Sequence, residues 1–284
     1  MKRLGCVITA GLALGLAAAG DVRFDVEAVE TIQKTFVFAA AGGKVKIDNL
    51  DGSITVAAHG KREVELVIRR TLSAESKEKL ETARQEVRLD LSQKGNEVVA
   101  TVDAPWRCRD GVNYRGPRFY GYRAGHDFDV KVPADTDLWV RTINRGEISI
   151  RGVDGGYDVE NINGGVEMTD VSGSGRVYAL NGKVRVLFSR NPKAESYFGS
   201  CNGNVDVYLR AGLSADLRFK TFNGAVYTDF PVSYLPPREP TREQRDGKFV
   251  YRSDRFSGVR VGQGGPELRF DAFNGDIHVR ERAQ

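Results

Sequence analysis

Seven segments of the chain repeat one pattern: an apolar residue, two variable residues, a second apolar residue, Asn or Asp, Gly, one variable residue, then two apolar positions separated by one residue. The first runs from Ile47 to Val56, and the others start at Val140, Val159, Val177, Phe198, Phe219 and Phe270. Repetition of this kind constrains the fold strongly, because each unit must bury its apolar face against its neighbours. The first column reads Ile47, Val140, Val159, Val177, Phe198, Phe219, Phe270, and the second Leu50, Ile143, Ile162, Leu180, Cys201, Phe222, Phe273. The third reads Ile54, Ile148, Val166, Val184, Val205, Val226, Ile277, and the fourth Val56, Ile150, Met168, Val186, Val207, Thr228, Val279. The pattern predicts two short strands around an Asn-Gly corner, whose residues tolerate the positive φ of a tight turn. Arg145 is one residue extra and is expected to be absorbed at its corner.

Two architectures fit: antiparallel hairpins closed by Asn-Gly, or a solenoid in which equivalent strands stack in parallel. Near-constant spacing favours the solenoid, since the motif glycines 146, 164, 182, 203 and 224 lie 18, 18, 21 and 21 residues apart. The outward residues Ser149, Glu167, Arg185, Asp206, Tyr227 and His278 support it, because Glu167, Arg185 and Asp206 alternate in sign as stacked neighbours should. The expectation is an all-β, right-handed β-solenoid or β-helix-like stack forming one domain over 20–284. The corner residues Asn163, Gly164, Asn181, Gly182, Asn202, Gly203, Asn223, Gly224, Asn274 and Gly275 read as structural. Cys201, in an apolar column, reads as a buried small hydrophobe rather than as a disulfide partner of Cys108.

Glycine supplies 32 of 284 residues, as expected of many tight turns. Residues 21–43 read as a lead-in and Ala57–Thr71 as strand. Ser73 reads as the cap of one short helix near 74–85, followed by a hairpin of strands around Lys94-Gly95-Asn96. This helix-hairpin insertion, 72–103, would cover an end or face of the stack. A second insertion, 229–262, reads as a solvated excursion between coils. Lys2 and Arg3 precede an apolar run ending in Ala17-Ala18-Ala19, the outline of a cleaved signal peptide over 1–19. No other stretch is apolar and long enough to span a membrane. Loss of Lys2 and Arg3 would reduce the formal net charge of +4 to +2, too little to imply nucleic-acid binding.

Residues 104–128 are different in kind: five arginines and six aromatics in 25 residues. Long loops in compact domains are often functional, and Arg and aromatic side chains dominate binding hot spots. The candidate binding residues are Trp106, Arg107, Tyr114, Arg115, Arg118, Phe119, Tyr120, Tyr122 and Arg123. The competing reading folds these aromatics back over the stack with arginines reaching outward. Asp103, Asp110, Asp127 and Asp129 flank the loop and read as solvated.

No catalytic residue, metal site or cofactor is expected. His59, His126 and His278 lie in separate segments without ligand spacing, and no nucleophile elbow, metalloprotease or phosphate-loop motif is present.

The set Asn49-Leu50-Asp51-Gly52-Ser53-Ile54-Thr55-Val56, Asn161-Ile162-Asn163-Gly164-Gly165-Val166 and Leu268–Val279, with Val132-Pro133-Ala134-Asp135-Thr136 before the central repeats, resembles the bacterial "putative adhesin" domain family. The resemblance spans most of 30–284 and leaves out the 104–128 loop. It implies an exported β-solenoid without established enzymatic activity. The resulting expectation is a non-enzymatic binding or structural module of the cell envelope, periplasmic or at the surface. Its partner would be an envelope polysaccharide or another envelope protein. A β-helix polysaccharide lyase or hydrolase is the alternative, and self-association through uncapped ends a third possibility.

Overall fold

The computed structural model describes residues 24–107, 120–238, 240–246, 248–252 and 256–282. The apolar leader 1–19, Cys108, Tyr114, Arg115, Arg118 and Phe119 lie outside them. The described chain is nearly all β, in an eleven-stranded and a ten-stranded mixed sheet, a two-stranded ribbon (Thr241–Arg245 with Lys248–Arg252) and one helix.

Each repeat places the strand before its corner in the larger sheet and the strand after it in the smaller one. Equivalent strands pair in parallel, residue on residue. Ile47, Val140, Val159, Val177, Phe198, Phe270 and Phe219 form one row. Ile54, Ile148, Val166, Val184, Val205, Ile277 and Val226 form its counterpart across the core. Most of both rows is fully buried in one core between the sheets. Phe198 and Phe219 stack on either side of Phe270, with ring centroids 5.4 and 5.2 Å apart.

The spatial order of the repeats is not their order in sequence. The last repeat, Glu267–Asn274 and Ile277–Glu281, lies between the pair Ser196–Asn202/Val205–Leu209 and the pair Ala215–Asn223/Val226–Thr228. Asp206 therefore faces His278, at 2.8 Å, and Tyr227 stacks on the imidazole at 5.0 Å. At the other end Glu97–Asp103 in the larger sheet and Tyr122–Pro133 in the smaller one lie outside the first repeat, pairing in parallel with Lys44–Asp48 and Ile54–His59 respectively. Both terminal repeats thus sit one place inside the stack.

The second apolar column is not a core column. Leu50 and Cys201 are buried, Ile143, Ile162, Leu180 and Phe273 are half-buried, and Phe222 is 73% exposed. Strand alternation instead turns the preceding residue inward: Asn49, Thr142, Asn161, Ala179, Ser200, Ala272, Thr221.

The insertions form more regular structure than expected. The lead-in contains the strand Val26–Val37, antiparallel to Glu63–Ala74. Ala57–Thr71 is two strands, Ile54–His59 and Glu63–Ala74, broken at residues 60–62. The helix runs Lys77–Glu86, and its cap is Ser76, whose Oγ accepts from the Lys79 N–H. Ser73 lies in a strand, because antiparallel pairing with Tyr122–Pro133 carries that strand through Ala74. Leu80 and Ala83 are buried, and Arg70 donates to the Val87 carbonyl just past the helix end. The 229–262 insertion is not wholly an excursion: Val232–Tyr234 and Ser257–Val261 extend the larger sheet antiparallel.

Candidate functional site

The corners align along one edge of the stack. Asparagine amides there form a ladder, each Nδ2 donating to the next Oδ1, in the order 223, 274, 202, 181, 163, 144, at 2.7–2.9 Å. The inward polar column seals the corners from below: Thr142, Asn161, Ser200 and Thr221 donate to the carbonyls of Gly52, Gly146, Gly182 and Gly275. Gly52, Gly203 and Gly275 have the expected positive φ, at 118°, 157° and 159°, and the corner glycines also answer to crowding between neighbours. A Cβ on Gly164 or Gly182 would lie 2.1 or 2.2 Å from the carbonyl oxygen of Gly146 or Gly164, and neither glycine has positive φ. Among the corners only Arg145, the extra residue, is a non-glycine with positive φ, at 46°. Every bond in this edge is internal to the fold.

The described part of the 104–128 segment divides into two roles. Trp106, Tyr120 and Tyr122 form one aromatic cluster with centroids 5.3–5.9 Å apart, packed against the core. The Tyr122 hydroxyl donates to Glu86, and burial pushes its pKa up. Arg107 grips Asp48 with two N–H donors at 2.7 and 3.1 Å. These four candidates anchor the segment to the stack. Tyr122 to Phe128 are strand rather than loop, the start of Tyr122–Pro133, because they pair with Glu63–Ala74, and from Phe128 onward the strand also pairs with Ile54–His59. Alternation along that strand turns Arg123 outward, its guanidinium 5.0 Å from the centre of the Phe24 ring.

Arg123 forms one wall of a pocket of about 210 Å³ on the outer face of the smaller sheet. Glu27, Ser73 and Arg123 lie in register on three adjacent strands, and Thr71, Gly125 and Asp127 continue the floor. The rim comes from two corners, Asp51-Gly52 and Arg145. Arg145 holds Asp51 with contacts of 2.6–3.0 Å. Burial nevertheless raises the Asp51 pKa, outweighing Arg145. Asp127 Oδ1 accepts from the Ser53 N–H and hydroxyl at 2.9 and 2.7 Å, and Glu27 accepts from Ser73 at 3.3 Å.

Sequence reasoning reached Arg123 and missed the rest. Asp127 read as merely solvated, Asp51 as a corner residue and Ser73 as a helix cap, while Glu27 and Gly125 carried no local motif. The pocket is assembled by pairing between segments more than 40 residues apart, which periodicity does not reveal. Among the described residues no group of three or more His, Cys, Asp and Glu is placed to hold a metal ion.

His126 points the opposite way from this pocket, into the core. It is 1% exposed and its Nε2 has no hydrogen-bond partner. Burial first, and then the Arg70 charge, lower its pKa to about 4, against a smaller opposing pull from Asp127. Between about pH 4 and 6.5 the unfolded chain therefore takes up a proton that the folded chain refuses. Stability contributed by the neutral imidazole is complete above that window and is lost as pH falls through it, by ~3 kcal/mol in full. His126→Leu should flatten the pH dependence of the urea midpoint across this range. An unchanged slope would assign the titration to other groups.

No family model matches this sequence, and no curated protein sequence matches it. Among the solved structures similar to it are the following three. One is a "putative cell adhesion protein" from Clostridium sporogenes, 12% identical, covering 89% of this chain and 100% of that one, with TM-score 0.38. A "putative adhesin" from Bacteroides fragilis is 12% identical over 89% of this chain and 97% of its own, with TM-score 0.30. A "putative lipid binding protein" from Parabacteroides distasonis is 11% identical over 90% and 97%, with TM-score 0.27.

Proposed function

We propose that this chain is an exported, non-enzymatic binding module of the cell envelope, built as a right-handed β-solenoid that carries its ligand site at the Arg123 pocket. The observation that carries this reading is the pocket itself. Outward polar groups from three strands and two corners converge there, on strands that pair antiparallel with one another and, through Tyr122–Pro133, in parallel with the first repeat. A rigid scaffold that fixes polar groups around an open concavity is the usual form of a binding site. The basic head and apolar run at Lys2 to Ala19 support export. Trp106, Tyr120 and Tyr122 serve as packing against the core. The ligand contact passes to Arg123 and its neighbours.

The test is retention of envelope material by immobilised chain lacking residues 1–19. The fractions are cell-wall polysaccharide and envelope protein, and each is offered to the wild type and to Arg123→Gln. The expected result is retention of one fraction, reduced at least tenfold by the substitution. Retention of neither fraction overturns the binding function. Undiminished retention by Arg123→Gln overturns the pocket as its site.

A further inference from the structure

Four described glycines lie inside strands: Gly125, Gly175, Gly199 and Gly258. A Cβ on Gly175 would strike the Tyr157 carbonyl at 1.9 Å, one on Gly199 the Tyr197 hydroxyl at 2.6 Å and its ring at 2.8–2.9 Å, and one on Gly258 the Arg218 guanidinium at 2.4 Å. Gly125 differs. A Cβ there would meet only Asp51, at 3.8 and 3.9 Å, an ordinary contact, and its φ is not in the left-handed region. Packing does not ask for glycine at this position, and glycine weakens a strand interior. What the missing side chain leaves open is the floor of the Arg123 pocket, with Asp51 beneath it.

The polar groups around that floor define what fits. Asp51 is satisfied by Arg145. Arg123 lines the cavity, with its guanidinium over the Phe24 ring and near enough to Asp51 for its charge to act on that carboxyl. Asp127 has a second carboxylate oxygen beyond the one bonded to Ser53, and Glu27 has one beyond the oxygen bonded to Ser73. One guanidinium donor is thus flanked by two carboxylates with spare acceptors. An anion would face three carboxylates, and a cation two guanidinium groups. A hydroxyl group donates to a carboxylate and accepts from a guanidinium at once, and about 210 Å³ suits a single six-membered ring. We propose that Gly125 is kept open to admit one neutral, hydroxyl-rich sugar ring, whose hydroxyls bridge Arg123 to Asp127 and Glu27. This inference rests on the reading of the pocket as the binding site.

The experiment is amide chemical-shift titration of the chain lacking residues 1–19. The probes are glucose, galactose, mannose and N-acetylglucosamine, with glucuronate, inorganic phosphate and calcium chloride as competitors of other charge. The expected result is saturable shifts at residues 51–53, 71–73 and 123–127 for at least one neutral sugar. Gly125→Val, which fills the floor while suiting a strand, should weaken that binding at least tenfold with an unchanged melting temperature. Tighter binding of glucuronate, phosphate or calcium than of every neutral sugar overturns the ligand class. Equal binding by Gly125→Val overturns the role of the open floor. A pocket silent to all seven probes overturns the inference, while retention of an envelope protein sensitive to Arg123→Gln would leave the binding function standing.

Discussion

Ending the chain after Gly265 is expected to destroy cooperative folding, although only the last repeat is lost. In a stack ordered as in the sequence, removing a terminal unit deletes one interface and leaves the rest intact. Here Glu267–Asn274 pairs on both sides, with Ser196–Asn202 and Ala215–Asn223, and Ile277–Glu281 likewise joins Val205–Leu209 to Val226–Thr228. Leu268, Phe270, Ala272, Ile277 and Val279 are all at most 1% exposed. At roughly 1.5–3 kcal/mol for each large buried apolar side chain, their loss approaches ~10 kcal/mol. That is comparable to the whole stability of a typical domain, about 5–15 kcal/mol. Thermal circular dichroism should show a broad transition or none. A sharp transition within about 5 °C of the full chain would mean that the last repeat does not sit inside the stack.

The second large effect concerns the corner glycines. Gly182→Ala should cost about 3 kcal/mol or more and lower the melting temperature by roughly 10 °C. The new Cβ would lie 2.2 Å from the Gly164 oxygen, 2.4 Å from its carbonyl carbon and 2.7 Å from the Gly165 nitrogen. All three are backbone atoms locked in register, so no side chain can swing aside. Gly60→Ala is the matched control, since a Cβ there meets nothing within 4 Å and φ is not left-handed. It should be neutral or stabilise by up to about 1 kcal/mol. If the two substitutions behaved alike, crowding between corners would not be the reason for glycine.

The legible part of this fold was the part written in period-2 apolar alternation. The rows through Val159 and Val166 can be read directly, because both faces of the core need apolar residues at fixed spacing. The inward row through Thr142, Asn161 and Ser200 could not be, since its members are polar and are buried only because corner carbonyls need donors. Their neighbours, from Ile143 to Phe222, are apolar and took the core role in the sequence reading by default. The corner glycines were found for a reason, tolerance of positive φ, that does not hold at Gly164 or Gly182. Spatial order was illegible in principle, because columns that match one another also match out of sequence. The candidate site was half legible: Arg123 stood out by composition, whereas Glu27, Ser73 and Asp127 became neighbours only through strand pairing.

The interleaved ends also set a timetable. When synthesis or unfolded transport delivers the chain from its N-terminus, Ser196–Asn202 and Ala215–Asn223 arrive before the strand that joins them. Until residues 267–281 are free, both strands and their counterparts across the core hold unpaired edges, with Phe198 and Phe219 facing an empty slot. Unpaired edges beside exposed rings are the feature that makes folding intermediates aggregate. The final strands act as a keystone, so the C-terminal half commits to its native state late and all at once.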